Sequence, residues 1–297
     1  MSLAIKPLKE NFAGEVIGID LREPLSEAEV EAIEAGMDRY AVLVFHDQRL
    51  TDEQQVAFSR NFGEIELAIG GNVTRPEDRR LAVELADVSN LAETNDILDR
   101  HDKRGLFNLG NQLWHSDSSY RSVPAKYSLL SARKIPKTGG NTEFADMRAA
   151  YDALDDEAKD EIEDLISEHS LLYSRAILGF TDFTTEERET FRPVRQRLVR
   201  THPVTGRKSL FLSSHAGTIE GWLMPEARAL LRDLTEHATQ PAFVYIHEWR
   251  QHDFIMWDNR QTLHRVRRFK RTEDVRDMRR TTIQGDGPTV PDASLNG

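Results

Sequence analysis

Two short segments of this chain acquire a purpose only if the fold brings them together. One is Trp114-His115-Ser116-Asp117; the other is Met256-Trp257-Asp258-Asn259-Arg260, followed by His264. On an extended strand, residues i and i+2 face the same side, so His115 and Asp117 can present an imidazole and a carboxylate to one point. His264, about half a chain-length later, completes a set of two histidines and one carboxylate. That set suits non-haem Fe(II), because it leaves three positions open on one face. A keto acid can take two of those positions and dioxygen the third.

His-x-Asp alone is weak evidence, and the 10 histidines make chance pairings easy. Three features lift this pair above chance. Leu113-Trp114 and Tyr120 frame it with apolar and aromatic groups suited to a dry pocket wall. His264 follows a strongly strand-like run, Phe254-Ile255-Met256-Trp257. Arg276 and Arg280 come next, at an even spacing that puts both on one side of a regular strand. Two guanidinium groups facing one pocket are costly unless anions neutralise them. Bidentate recognition of carboxylates is the usual reason to place them there.

Composition removes other classes. The 297 residues include no cysteine, which excludes disulfides, zinc–thiolate sites, iron–sulfur clusters and cysteine nucleophiles. It also fits a cytoplasmic protein. A net charge of −11 argues against a nucleic-acid partner. An anionic substrate therefore needs a local basic pocket, which the C-terminal arginines can supply. The opening MSLAIKPLKENFAGEV lacks the pattern of a signal peptide. No apolar run approaches the ~20 residues that span a bilayer, so no membrane partner is expected.

Ser26-Glu27-Ala28-Glu29 and Thr51-Asp52-Glu53-Gln54 are capping boxes, predicting helices to about Tyr40 and to about Phe62. Residues 41–45, 81–85, 126–132, 198–201, 209–212, 243–249, 253–257 and 281–284 read as strands. Residues 146–154, 156–166 and 225–239 read as helices, and 174–196 as a long charged loop of the kind that covers a site. Residues 285–297 read as a loose tail. No linker divides the chain, so residues 1–297 are expected to form one domain. Many short strands with helices clustered early and in insertions predict an α/β fold. Its core would be a double-stranded β-helix (jelly roll), with flanking helices and long active-site loops.

The full set of motifs resembles the taurine/2,4-D dioxygenase family of Fe(II)- and 2-oxoglutarate-dependent oxygenases, over about residues 3–286. The matching residues are Trp114-His115-Ser116-Asp117, Gly139-Gly140-Asn141-Thr142, Trp257-Asp258-Asn259-Arg260 with His264, and Arg276 with Arg280. Asn111 through Ser119, Asp146 through Leu154, Glu236 through Gln240 and Ile19 through Glu23 are similar to the 2,4-dichlorophenoxyacetate branch. The resemblance implies His115, Asp117 and His264 as iron ligands. It implies Thr142 and Arg276 on the distal carboxylate of 2-oxoglutarate, and Arg280 on the substrate carboxylate. Asn111 matches a substrate-proximal position. His215 matches a histidine of the branch, and by itself reads equally as a substrate contact or a loop histidine. Two departures stand out: Gly70-Gly71 occupies the place of a branch lysine, and Thr218 that of a branch histidine. Asp258 reads as a turn residue or one that supports the ligands rather than a ligand itself, and His169, His202 and His237 as structural or solvated.

The implied cofactors are Fe(II), 2-oxoglutarate and O2, with ascorbate supporting activity. The implied reaction hydroxylates the carbon beside the ether oxygen of an aryloxyacetate, giving a phenol and glyoxylate alongside succinate and CO2. The expected partner is a small anionic aromatic substrate, and the resemblance implies a homo-oligomer. Two alternatives stay open: the same chemistry on taurine, an alkylsulfonate or another anionic carboxylate, and a non-catalytic jelly-roll protein that binds a metal or an anion.

Overall fold

Val42–Phe45 and Phe254–Asp258 are the most thoroughly buried strands of the chain, and they pair antiparallel with Val42 opposite Trp257. A strand buried on both faces needs apolar residues, which Val42–Phe45 and Phe254–Trp257 provide; the buried Asp258 that ends the second strand needs partners of its own. They sit at the centre of a seven-stranded sheet. Tyr127–Lys134 flanks Phe254–Asp258 on the other side and in turn pairs with Asp277–Thr282. Ala4–Lys9, Phe12–Ile17 and Ala86–Asp87 complete the sheet. The computed structural model describes residues 3–68 and 79–291.

A second, three-stranded sheet places Thr142–Asp146 between Val244–His247 and Thr262–Val266. Phe144 from this sheet packs with Leu130, Ile255, Trp257 and Met278 from the larger one, so the two sheets share a core. His264 is opposite Phe144 in the register, which puts it on that shared interior. Beneath the other face of the large sheet lie the capped helices Glu27–Tyr40 and Asp52–Ser59, with Met37, Phe58 and Phe62 packed on Phe45 and Phe254. Both boxes are formed reciprocally, Ser26 with Glu29 and Thr51 with Gln54.

Several expectations are corrected. The strand foreseen at 81–85 forms at Ala86–Asp87, against Arg279 and Arg280, because the ladder is decided by its partner strand. The helix from Asp156 ends at Ile162, and Ile166–His169 is a strand. The charged segment 174–196 is mostly regular: helices Leu171–Ile177 and Thr185–Thr190, then strand Val194–Arg197. Thr184 and Glu187 form a capping box there. That strand and Ala216–Ile219 sandwich Ile166–His169 in a further sheet. The tail is not loose from Gly285: Asp286 pairs with Arg260 at 2.8 Å, and Thr289 donates to Gln196 at 2.6 Å. Residues 292–297, and Gly70-Gly71, lie outside the described residues.

Asp258 is the polar keystone of this core. It is fully buried and accepts from Arg260 Nε and Nη2, from the Arg260 backbone and from Gln261 Nε2, with His202 at 3.3 Å. Burial alone would raise its carboxyl, but Arg260 and His202 overcome that and hold it far below the ordinary carboxylate range. Breaking a buried pair leaves an uncompensated charge, so Asp258→Asn is expected to cost about 3–5 kcal/mol. Urea denaturation of the two proteins measures it; a loss under about 1 kcal/mol would show Arg260 to be satisfied without Asp258.

Candidate active site

The two distant segments meet through their backbones. His115 N donates to His264 O at 3.0 Å, and His264 N donates to His115 O at 2.9 Å, an antiparallel bridge between the two histidines. His264 rides on the regular strand Thr262–Val266. His115 and Asp117 do not share a continuous strand as the spacing suggested: a turn begins at Asp117, and Ser118 has φ +53°. Both side chains still converge. His115 Nε2 lies 3.9 Å from Asp117 Oδ1, and His264 Nε2 lies 3.6 Å from Asp117 Oδ2. All three residues are buried.

The protonation states are those a metal needs. His115 Nδ1 donates to Leu113 O at 2.8 Å, because a carbonyl can only accept; this leaves Nε2 as the free donor atom. Burial pushes both imidazoles below their ordinary value, with Asp117 partly offsetting this, so each is neutral. Burial would raise Asp117, but the Arg280 guanidinium, helped by the hydrogen bond from Ser128, holds it down to about 2. Two neutral imidazoles and one carboxylate within 4.8 Å of one another therefore fit a divalent ion.

Three residues hold Asp117 in place: Ser128, which sequence reasoning missed, and Asn259 and Trp257, which it named in the motif without a role. Ser128 Oγ donates to Asp117 Oδ2 at 2.7 Å. Asn259 Nδ2 donates to Ser128 Oγ at 2.9 Å, and Asn259 Oδ1 accepts from the Asp117 backbone N–H at 3.1 Å. Trp257 Nε1 also donates to Asn259 Oδ1, at 3.0 Å, which fixes the amide. The Trp-Asp-Asn-Arg sequence is thus divided in labour: Asn259 orients the carboxylate while Asp258 and Arg260 brace the core. Such supporting contacts tune metal affinity by about 10- to 100-fold. Ser128→Ala is expected to weaken iron binding by that factor with the fold intact, measured by metal titration against a chelator. Unchanged affinity would remove Ser128 from the site.

Arg280 lines the same cavity and pairs directly with Asp117 Oδ1. Arg276 faces a small adjoining cavity with Asn90, Asn111 and Val266. It is buried, its Nε has no partner, and burial lowers its guanidinium to about 10. An unpaired buried cation of this kind fits an anionic group. Thr142 is opposite Val266 in the ladder, and its hydroxyl accepts from Trp249 Nε1 at 2.9 Å, so its own O–H is left to donate. Asn111 lines both cavities. His215 lies against the triad, its ring edge-on to His115 with centroids 6.1 Å apart. Glu66, unforeseen, accepts from Ser118 Oγ at 2.7 Å beside Asp117, and burial raises its carboxyl. The main cavity encloses about 670 Å³, enough for an aromatic ring with its side chain.

Residues 4–282 match the family described as taurine catabolism dioxygenase TauD, TfdA family. The chain belongs to that family. This dioxygenase is 47% identical to the alpha-ketoglutarate-dependent 2,4-dichlorophenoxyacetate dioxygenase of Cupriavidus pinatubonensis, covering 96% of this chain and 99% of the relative. It is 39% identical to the (S)-phenoxypropionate/alpha-ketoglutarate-dioxygenase of Sphingobium herbicidovorans, covering 95% of each. A crystal structure of AAD-2 in complex with Mn(II) and N-oxalylglycine superposes with a TM-score of 0.95 at 62% identity, covering 98% of this chain and 100% of the other.

Proposed function

We propose that this dioxygenase uses Fe(II) and 2-oxoglutarate to hydroxylate the carbon beside the ether oxygen of an aryloxyalkanoate, with 2,4-dichlorophenoxyacetate as its model substrate. The observation that carries the reading is a buried His115–Asp117–His264 cluster at a cavity that adjoins the pocket of Arg276, a buried guanidinium with no acid beside it among the described residues and an unpartnered Nε. The relative crystallised with Mn(II) and N-oxalylglycine supports it, since N-oxalylglycine has the two carboxylates and the keto oxygen of 2-oxoglutarate with an N–H in place of one methylene. When bound, iron with 2-oxoglutarate and O2 supplies the oxidant for C–H hydroxylation.

The chain's own residues do the positioning. His115, Asp117 and His264 hold the iron. Arg276 and the Thr142 hydroxyl take the distal carboxylate of 2-oxoglutarate. Arg280 releases Asp117 to the metal and takes the substrate carboxylate, which brings the adjacent carbon to the iron. Phe107, Leu171, Tyr120 and Phe191 offer the aryl ring an apolar wall that excludes water. Hydroxylation beside the ether oxygen gives a hemiacetal, which collapses to a phenol and glyoxylate.

We read the two facing sheets as a jelly-roll core and residues 1–297 as one domain. No helix among the described residues is long and apolar enough to cross a membrane; a cytoplasmic homo-oligomer is the form we propose. Incubation with Fe(II), 2-oxoglutarate, ascorbate and 2,4-dichlorophenoxyacetate is expected to release succinate and the phenol in equal amounts. Turnover of taurine with no phenoxyacetate accepted would overturn the substrate. The absence of a metal-to-ligand charge-transfer band with anaerobic Fe(II) and 2-oxoglutarate would favour a binding protein.

A further inference from the structure

The cavity that holds the Asp117–Arg280 pair is also lined by a buried guanidinium that the proposed reaction does not use. Arg175 lines the cavity with only 5% of its surface exposed. Of the other arginines that line this cavity, Arg80, Arg104, Arg121 and Arg280 each have an acid within 4 Å, and Arg79 donates to the Ala68 carbonyl. Arg175 has no such acid among the described residues. Its Nη1 donates to Ser174 Oγ at 2.9 Å, and its Nε is buried without a partner. Its guanidinium lies 4.2 Å from the Phe107 ring centroid and against the backbone of Gly110, where a Cβ would come within 2.3 Å of Nη1. Burial lowers its guanidinium to about 10. A cation held in an aromatic wall without a counterion is costly, and an incoming anion relieves the cost.

Its place relative to the triad says which anion. Ser174 Oγ donates to Leu171 O at 3.0 Å, so its contact with His215 Nδ1 at 2.9 Å has the imidazole as donor. His215 stands edge-on to His115. One imidazole and one hydroxyl thus separate Arg175 from the metal-ligating cluster along this chain of contacts. The carboxylate of an aryloxyacetate is bonded to the carbon that must sit at the metal. It belongs to Arg280. Phe107, Leu171 and Tyr120 line the cavity together with Arg175, whose guanidinium lies over the Phe107 ring, so an aryl ring packed on this wall extends an acidic substituent toward Arg175.

We propose that Arg175 is a specificity-determining residue that receives a second acidic group on the ring, so that the preferred substrates include aromatic dianions: aryloxyalkanoates carrying a ring carboxylate. This rests on the aryloxyalkanoate reading, and the test separates the two. The iron-loaded enzyme is assayed with phenoxyacetate, 4-carboxyphenoxyacetate and its uncharged 4-carboxamide, and binding of each is measured anaerobically by calorimetry. Wild type is expected to prefer the dianion to the carboxamide by about 10- to 100-fold in KM and in binding, the range of one charge-assisted pair. Arg175→Met is expected to abolish that preference and leave phenoxyacetate turnover within a few fold, while Arg175→Lys restores part of it. A wild type that turns over phenoxyacetate but binds dianion and carboxamide alike overturns the role of Arg175. So does an Arg175→Met protein that loses all three substrates equally while Arg175→Lys recovers them without selectivity, which is the signature of a packing role. No turnover of any aryloxyacetate by wild type overturns the underlying reading instead.

Discussion

Asp117→Ala is expected to abolish turnover and iron binding and to leave the chain folded. Asp117 is the only anion in the cluster with His115 and His264, and its loss leaves two neutral imidazoles to hold a dication. An open-faced site has no spare ligand to substitute. Glu66 is the nearest other carboxylate named in the pocket, but its Oε2 is committed to Ser118, and its raised carboxyl makes it a poor donor. Folding should survive because the groups left behind are not stranded. Ser128 and Asn259 still bond each other, and Arg280 keeps part of its side chain, 19%, exposed to the cavity. Asp117→Asn separates charge from shape: it retains an oxygen toward Ser128 but loses the charge, and it too should lose iron. Metal content after dialysis, urea denaturation and succinate release decide the point. Wild-type activity and iron content in either variant would remove Asp117 from the metal site.

Arg276→Gln and Arg280→Gln are expected to fail differently, although the two arginines lie on one run four positions apart. Arg276 immediately precedes the strand Asp277–Thr282, and the ladder shifts register between Asp277 and Met278, so the even spacing foreseen for a regular strand does not hold across both arginines. They face different cavities. Arg276, buried and lacking a partner for Nε, should bind 2-oxoglutarate; its loss should raise the KM for 2-oxoglutarate whichever substrate is present. Arg280→Gln should raise the KM for the aryloxyacetate and leave 2-oxoglutarate binding nearly intact. Loss of a charge-assisted pair in a partly dry pocket costs on the order of 2–4 kcal/mol, or roughly 30- to 1000-fold. Arg280→Gln should also uncouple the reaction, since a loosely held substrate no longer presents its carbon. Both KM values and the succinate-to-phenol ratio are the readout. Equal effects of both substitutions on both ligands would make the arginines one electrostatic patch.

The features legible in the sequence are those set by neighbours along the chain. Ser26 and Thr51 announce their helices because a capping box closes within four residues. The apolar runs at 42–45 and 254–257 announce buried strands, because a strand covered on both faces is apolar along its length. His115, Asp117, His264, Arg276 and Arg280 were legible as types of chemistry, and the fold does bring the first three together. The segment 174–196 read as a loop because its charged residues mask a strand whose partner begins at Ile166, and no local pattern records that pairing.

What only the tertiary structure decided is which polar groups are satisfied and which are left waiting. Nothing local tells Ser128 that it will hold Asp117, or Asn259 that it will accept from the Asp117 backbone across half the chain. Nor does the sequence distinguish Arg280, which finds Asp117, from Arg276 and Arg175, which are buried with no acid beside them among the described residues. The types of side chain follow from composition and spacing. Their pairing depends on burial, and burial removes the water that would otherwise satisfy every one of them alike.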